Sequence, residues 1–298
     1  MIVSVIGLGY IGLPTAALIA SNQIKVIGVD VDQEIVKTVN EGKIHIIEPN
    51  LEELVHSAVK KGNLSAANEI SNSDVFIVAV PTPFTQNHKP DLSYIKIAVK
   101  SIAKVLKVGN LVILESTSPV GSSEKMMHWM KEERPDLSFP VFGVDKESDI
   151  FIAHCPERVL PGNIINELIS NNRIIGGISK HCSISANDFY KQFVHGECLL
   201  TDCRTAEMCK LVENSFRDVN IAFANELSII SDKLDINVWD LIKLANHHPR
   251  VNILKPGPGV GGHCIAVDPW FIVDSAPEEY KLIRMARNVS VSKPLFVL

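Results

Sequence analysis

The sequence predicts an α/β fold, in which a doubly wound parallel sheet precedes a helical region built around one long central helix. Short β-branched runs alternate with helical periodicity in the first two thirds of the chain, and a glycine-rich turn follows the first run. After about residue 200 the apolar residues recur at every third or fourth position. The 298 residues, 46% of them hydrophobic, are enough for two domains.

The first 24 residues carry no charged side chain, so hydropathy alone would suggest a signal peptide or a membrane span. No basic segment precedes the apolar stretch, and a spanning helix would have to accommodate Gly7, Gly9, Gly12 and Pro14. A better interpretation is a buried parallel strand over residues 2–6, then a glycine turn, then a helix from about Ile11.

The following segments continue the alternation of strands and helices. Further strands are expected at residues 25–30, 74–80, 111–117, 149–155 and 173–179, and helices at residues 33–40 and 92–106. The last two strands either extend the same sheet or begin a second βα set. Residues 205–234 have helical periodicity without Pro or Gly, and therefore predict one long helix. We place the domain boundary between residues 198 and 199.

Charge and cysteine content narrow the classes of function. The net charge is −5, and no Lys/Arg block is longer than a dipeptide, which argues against nucleic-acid binding and a polybasic membrane anchor. The six cysteines form no Cys-x-x-Cys pair, so neither a metal site nor a disulfide framework is indicated. We expect a reducing, cytoplasmic setting and small-molecule or protein partners.

The turn after the first strand has the spacing of a dinucleotide-binding loop in a Rossmann-type fold. Gly7 permits the tight turn, Gly9 lets the backbone approach a pyrophosphate, and Gly12 allows close packing of helix and strand. The second predicted strand ends in Asp30, whose carboxylate can accept hydrogen bonds from the ribose hydroxyls. A 2′-phosphate would repel that carboxylate, so the expected cofactor is NAD. The alternative is a strand–turn–helix unit packed through small residues without a ligand.

Two further patterns suggest chemistry. Lys210, Asn214 and Arg217 lie on one face of the long helix, although a solvated face with Lys210 paired to a glutamate would give the same spacing. Residues 256–264 form a glycine-rich loop that ends in Cys264. The other five cysteines fit the role of small buried hydrophobes. A nearby ammonium such as that of Lys210 would favour the nucleophilic thiolate of Cys264.

Several long motifs together resemble those of the UDP-glucose/GDP-mannose dehydrogenase family, in order along the whole chain. They are GLGYIGLP (7–14), VPTPF (80–84), ESTSPVGSSE (115–124), CPERVLPG (155–162), AEMCKLVENSFRDVNIAFANE (206–226), NHHPRVNI (246–253) and PGPGVGGHCIAVDPWF (256–271). The resemblance implies an NAD-dependent, four-electron oxidation of the C6 alcohol of a nucleotide sugar to a carboxylate, without release of the aldehyde.

The resemblance also implies roles for individual residues. Cys264 is the expected nucleophile, which forms a thiohemiacetal and then a thioester. Lys210 is the acid/base or oxyanion-stabilising group, and Asn214 assists it. Glu157 and Asp268 match carboxylates that handle protons or position water, and Thr117 matches a threonine near that water.

The expected binding residues follow in the same way. Tyr10, Ile11, Asp30, Thr82 and Ser123 occupy the family's cofactor positions, and Ser123 replaces a threonine often found there. The substrate contacts implied by the resemblance are Arg158, Val159, Lys210, Asn214, Arg217, His248, Arg250 and Gly261. A guanidinium suits a diphosphate or the new carboxylate, while His248 could instead be a histidine at a helix end.

The residues of two motifs favour the N-acetylhexosamine branch of the family. Ile265, Ala266 and Val267 separate Cys264 from Asp268, where UDP-glucose enzymes are expected to carry Leu-Pro-Lys, and NHHPRVN fits the same branch. The expected substrate is UDP-N-acetyl-D-mannosamine, and its product would be a precursor of surface polysaccharide such as enterobacterial common antigen. The alternatives are another UDP-hexose or N-acetylhexosamine, and a β-hydroxyacid dehydrogenase that transfers one hydride without a cysteine.

The resemblance raises two further expectations. Family members carry a third, C-terminal α/β domain that closes over the nucleotide, and this sequence ends where that domain would begin. We therefore keep open a fragment that binds NAD and dimerises with little turnover. The apolar surface of the long helix, together with Trp239, Leu241, Ile242 and Leu244, predicts a homodimer through the central helix.

Overall fold

A computed structural model describes residues 1–85, 88–262 and 264–298. Its residues form two compact units, one of residues 1–83 and 91–207 and the other of residues 84–90 and 208–298. The strands are β1 (Ile2–Ile6), β2 (Lys25–Val29), β3 (Leu64–Ala67), β4 (Val75–Val78), β5 (Leu111–Leu114), β6 (Phe151–His154), β7 (Arg173–Gly177) and β8 (Cys198–Asp202). The helices are α1 (Gly12–Ser21), α2 (Gln33–Asn40), α3 (Leu51–Lys60), α4 (Ser93–Ala103), α5 (Ser122–Glu133), α6 (Ile164–Ser170), α7 (Lys180–Tyr190), α8 (Cys203–Lys233), α9 (Val238–Ala245), α10 (Asp268–Ser275) and α11 (Lys281–Val297).

The first unit contains one eight-stranded sheet, with strand order β3-β2-β1-β4-β5-β6-β7-β8. The first six strands have the order 3-2-1-4-5-6 of a dinucleotide-binding fold, and they are mutually parallel. The predicted α/β class is therefore confirmed. The chain leaves β1 toward β2 on one side and reaches β4 on the other, so the carboxyl ends of β1 and β4 flank a crevice suited to a ligand.

The predicted parallel sheet contains one antiparallel pair, at its far edge. Strand β7 extends the same sheet but pairs antiparallel with β6, with Ala153 opposite Gly177, and β8 is parallel to β7. Hydrophobic patterning could not reveal this direction, because a buried strand has the same residue content whichever way it runs. The reversal places the start of β7 at the carboxyl edge of the sheet.

Apolar side chains fill both faces of the sheet, as a doubly wound fold requires. Strand β4 shows the alternation: Val75 and Ile77 join the cluster that includes α1, α3, α6 and α7, whereas Phe76 and Val78 join the cluster that includes α4 and α5. The side chains of these four residues are buried. The uncharged amino-terminal segment forms β1, a turn and α1, as the sequence predicts.

The second unit is helical. Helix α8 begins in the first unit, and the boundary between the units falls after Glu207. The small core of the second unit consists of Leu211, Val267, Phe271 and Ile272. Asp218 on α8 forms a buried ion pair with Arg287 on α11, with 2.7 Å between Oδ1 and Nη1. Within the described parts of the chain, no helix combines the length and apolarity needed to cross a membrane.

Candidate active site

The glycine turn has the backbone geometry that its sequence predicts. Gly7 has a φ of +91°, and a Cβ there would lie 2.6 Å from the carbonyl oxygen of Ala79. A Cβ at Gly12 would lie 1.8 Å from the carbonyl oxygen of Gly7. A side chain at either position would therefore collide with the protein's own backbone. A Cβ at Gly9 would meet no atom within 4 Å, so the backbone there faces open space at the N-terminus of α1.

Asp30 follows β2 at the same edge of the sheet. Its Oδ2 accepts a hydrogen bond from the Leu8 amide at 2.8 Å, and its Oδ1 accepts one from the Asp32 amide at 3.0 Å. These two bonds hold the carboxylate beside the glycine turn. Asp30 lines a cavity of about 940 Å³ together with Gly7, Gly9, Tyr10 and Ile11.

The arrangement fits a dinucleotide. The cavity has the size of known ligand sites, the glycine turn that leads into the N-terminus of α1 lines it, and Gly9 leaves room for a pyrophosphate. Asp30 can hold ribose hydroxyls, and Ile35, Ile70 and Ile97 add apolar wall. Gly12 does not line the cavity but packs beneath Gly7.

Two other predicted cofactor residues have protein partners. The Thr82 hydroxyl donates to the carbonyl oxygen of Thr117 at 2.5 Å, which brings a predicted cofactor residue and a predicted catalytic residue together. Ser123 is fully buried, and its hydroxyl and amide both donate to Oε1 of Glu207 at 2.7 Å. Its contact with the cofactor stays a prediction, since this hydroxyl is already engaged.

Glu207 was not predicted from the sequence, although it lies within one of the quoted motifs. Its Oε2 accepts a hydrogen bond from the Gly121 amide at 2.6 Å, so the carboxylate caps the N-terminus of α5. Burial raises the pKa of Glu207, and the hydrogen bonds from Ser123 and Gly121 oppose that rise. Only the structure reveals its partner, because Ser123 and Glu207 are 84 residues apart.

Glu157 lies just after β6, where its carboxylate has two partners. Its Oε1 accepts a hydrogen bond from the Arg158 amide at 2.7 Å, and its Oε2 lies 3.0 Å from Nη2 of Arg173. The Arg158 guanidinium donates to the carbonyl oxygen of Asn172 at 2.5 Å. Val159 is half-buried against the core. Arg173 is a functional candidate that sequence reasoning missed.

In the second unit the structure brings Asn214 and Asp268 into contact. Nδ2 of Asn214 donates a hydrogen bond to Oδ2 of Asp268 at 2.5 Å. Both side chains are buried, Asn214 on α8 and Asp268 at the first position of α10. Burial raises the pKa of Asp268 to about 6, while the Asn214 hydrogen bond and the charge of Lys210 act in the opposite direction. Asp268 therefore titrates close to neutral pH, which suits a group that exchanges protons.

Cys264 belongs to the same unit and is exposed. Its carbonyl oxygen accepts hydrogen bonds from the amides of Val267 and Asp268, at 3.0 and 2.9 Å. The turn that ends in Asp268 is thereby tied to the backbone of the cysteine. An exposed thiol at the end of a glycine-rich loop can reach a ligand, unlike the buried Cys155, Cys182 and Cys203.

The remaining predicted substrate residues lie on the surface of the second unit. Arg217 is exposed on α8, and Gly261 is exposed in the glycine-rich loop. His248 and Arg250 are exposed after α9, and the Arg250 amide donates to Nδ1 of His248 at 3.3 Å. These residues have the accessibility that substrate contacts need. His263 of the cysteine motif lies outside the described residues.

Comparison with known proteins gives this geometry a family. Residues 1–194 match the UDP-glucose/GDP-mannose dehydrogenase family, NAD binding domain, and residues 204–291 match its central domain. A UDP-N-acetyl-D-mannosamine dehydrogenase from Campylobacter jejuni is 65% identical over 297 residues, which are 99% of this chain and 73% of that protein. An NDP-N-acetyl-D-galactosaminuronic acid dehydrogenase from Ralstonia nicotianae is 62% identical over 296 residues, or 99% of this chain and 70% of that protein.

A solved structure agrees. The UDP-D-ManNAc dehydrogenase from Pyrococcus horikoshii superposes with a TM-score of 0.92 at 43% identity, over 99% of this chain and 69% of that one. The resemblance inferred from the motifs is therefore confirmed. The chain belongs to the UDP-glucose/GDP-mannose dehydrogenase family, whose members are NAD-dependent nucleotide-sugar dehydrogenases.

Proposed function

We propose that this protein oxidises C6 of UDP-N-acetyl-D-mannosamine to the carboxylate, in four electrons, through a covalent adduct on Cys264. The observation that carries the proposal is the Asn214–Asp268 pair, with Asp268 under the influence of Lys210 and joined by backbone hydrogen bonds to Cys264. An exposed thiol, an ammonium, an amide and a carboxyl that titrates near neutrality form the set of groups that such a reaction needs.

NAD supplies hydride acceptance, one hydride for each of two oxidations. The protein groups supply the rest. The Cys264 sulfur adds to the aldehyde carbon, and the aldehyde oxygen becomes the hydroxyl of a thiohemiacetal. Loss of a second hydride leaves a thioester, and water then breaks its C–S bond, which returns the thiol and gives the carboxylate. One water oxygen enters the product, and three protons are released overall.

We assign the stabilisation of charge, the transfer of protons and the positioning of water to five residues. The Lys210 ammonium and the Asn214 amide stabilise negative charge on the reacting oxygen. Asp268 and Glu157 accept protons, the latter during attack of water on the thioester, and Thr117 helps to orient that water. Asp30 and the glycine turn orient the cofactor, and Arg217, His248 and Arg250 with Arg158, Val159 and Gly261 hold the nucleotide sugar.

A second substrate has support of its own, because the relative from Ralstonia is named for N-acetyl-D-galactosaminuronic acid and is almost as similar as the one from Campylobacter. A one-hydride reaction of the β-hydroxyacid dehydrogenase kind has no such support, because it leaves the Cys264 loop without a role. If the mannosamine substrate is correct, the product serves synthesis of surface polysaccharide of the enterobacterial common antigen type.

The test is NADH formation with UDP-N-acetyl-D-mannosamine, UDP-N-acetyl-D-galactosamine, UDP-N-acetyl-D-glucosamine and UDP-glucose. We expect the highest kcat/KM with the first and two NADH per sugar oxidised. Cys264→Ser should still bind the sugar nucleotide but form no acid, whereas Cys198→Ser, at a half-buried thiol on β8, should keep the stoichiometry of two. A stoichiometry of one, or acid formation by Cys264→Ser, would refute the cysteine mechanism.

A further inference from the structure

A buried cluster of charged side chains lies at the carboxyl edge of the sheet, next to Glu157. Glu115 follows β5, Glu157 follows β6, and Arg173 is the first residue of β7. Because β7 runs antiparallel to β6, with His154 opposite Gly176, its start lies beyond the end of β6. A parallel β7 would have carried Arg173 to the opposite edge of the sheet. The reversed strand is thus what brings the cation to the two carboxylates.

The guanidinium of Arg173 is surrounded by protein. Its Nη2 lies 3.0 Å from Oε2 of Glu157, and its Nη1 lies 3.8 Å from Oε1 of Glu115. The guanidinium carbon lies 4.8 Å from the ring centroid of Tyr190, and Nη1 donates to the sulfur of Cys155 at 3.7 Å. Only 5% of Arg173 is exposed, so water does not compete for these contacts.

Glu115 is in turn fixed by hydroxyl groups. Tyr190 donates to its Oε1 at 2.7 Å, and Thr15 donates to its Oε2 at 3.5 Å. Burial raises the pKa of Glu115 to about 7, with Glu157 acting in the same direction and Arg173, Tyr190 and Thr15 opposing it. The Arg173 guanidinium lies closer to Glu157 than to Glu115, at 3.0 Å against 3.8 Å, so its charge acts mainly on Glu157.

We propose that Arg173 is a positioning residue for the reaction: it holds the Glu157 carboxylate in place, and Glu115 and Tyr190 hold Arg173. The proposal rests on the role assigned to Glu157 in water attack. A planar guanidinium has two N–H edges, so it can bind both carboxylates while it stacks on the tyrosine ring. Together with the Arg158 amide, it leaves the Glu157 carboxylate few orientations.

A double-mutant cycle tests whether Arg173 acts through Glu157. The variants are Glu157→Gln, Arg173→Met and the double variant, in the full-length protein, with kcat and the KM values for UDP-sugar and NAD as readouts. We expect each single substitution to lower kcat on the order of 100-fold with little change in the KM for NAD. The double variant should lose no more than the poorer single variant.

Folding is controlled in two ways. Arg173→Met leaves two buried carboxyls without a cation. A second cycle therefore uses Arg173→Met combined with Glu115→Gln, so that one anion is removed together with the cation. Arg173→Lys keeps the charge without the fork and should recover part of kcat. Arg134→Met is the matched control, because Arg134 makes structural bonds to Asp136 and to the carbonyl oxygens of Ala103 and Leu106. Any effect it has should multiply with that of Glu157→Gln.

The outcomes separate the two proposals. If the losses of Arg173→Met and Glu157→Gln multiply, Arg173 has a merely structural role and the positioning proposal is wrong, while two NADH per sugar would still support the proposed function. Normal turnover by Glu157→Gln would overturn both the role of Glu157 and the positioning role. Normal turnover by folded Arg173→Met would overturn the positioning role alone.

Discussion

Asp268 is the residue whose environment most clearly departs from that of an ordinary aspartate. It is 3% exposed, its charge is opposed by burial, and the Asn214 amide is its hydrogen-bond partner. Between its ordinary pKa of about 3.8 and the raised value of about 6, the folded protein holds a proton that the unfolded chain has released. The unfolded state thus binds fewer protons over this interval, and stability falls as the pH rises.

We expect Asp268→Asn to remove this loss. A pKa raised from 3.8 to about 6 corresponds to about 3 kcal/mol. Relative to the parent protein, the asparagine variant should gain up to that amount between pH 4 and pH 7, although it should lose turnover. Urea unfolding of both proteins at pH 4, 5, 6 and 7 measures the difference.

The control for this comparison is Asp240→Asn, at an exposed position in the first turn of α9. Its difference from the parent protein should stay nearly constant over the same pH range. A difference for Asp268→Asn that does not change with pH would show that folding leaves the pKa of Asp268 at its ordinary value.

At the scale of elements, the turn between β1 and α1 contains two kinds of glycine. Gly7 and Gly12 are needed for close packing, whereas Gly9 faces open space where a ligand can bind. Gly12→Ala places a methyl group 1.8 Å from the carbonyl oxygen of Gly7, whereas the same change at Gly9 meets open space. We expect Gly12→Ala to destabilise the protein by about 3 kcal/mol, because helix and turn must move apart. Gly9→Ala should retain the Tm of the parent protein.

The change at Gly9, which should leave stability unchanged, is the one that we expect to affect cofactor binding. A methyl group at Gly9 fills space that the pyrophosphate needs, so Gly9→Ala should weaken NAD binding at least tenfold in a protein of unchanged stability. Isothermal titration with NAD, together with thermal unfolding, measures both quantities. Unchanged NAD affinity in Gly9→Ala would place the pyrophosphate elsewhere.

Elements with strong local signals could be predicted from the sequence. Helix α2 has the predicted bounds, because its apolar residues recur with helical spacing after the capping residue Asp32. Strand β3, with the sequence LSAA, went unpredicted because Leu64 is its one large apolar residue and the strand gains its position by pairing with β2. Helices α3, α5, α6 and α7 were also missed.

The same contrast holds for the candidate site, where residue types could be predicted but their tertiary partners could not. Motifs indicated Cys264, Lys210, Asn214 and Asp268 by residue type, but the Asn214–Asp268 bond joins positions 54 residues apart. Arg173 had no visible signal beyond a charge at the start of an apolar strand, because its role depends on the direction of β7. Partners created by tertiary structure leave no local pattern, so these contacts could not be predicted.

At the scale of the whole molecule, the exposed apolar residues of α8 favour self-association. Phe216, Phe223 and Ile230 are spaced by seven residues and lie on one face, and their exposed fractions are 68%, 50% and 47%. Large apolar residues exposed in a row are unfavourable in water and are typical of protein interfaces. A twofold dimer would bury each such face against its copy.

We expect the parent protein to be a dimer and Phe216→Glu with Phe223→Glu to be a monomer, as measured by sedimentation velocity at micromolar concentration. Four glutamates would face one another across a twofold interface, and burying these charges is strongly unfavourable. Val108→Glu is the control, because Val108 is 69% exposed and precedes β5 in the first unit. It should stay dimeric. A monomeric parent protein, or a double variant that stays dimeric, would exclude this helix face as the interface.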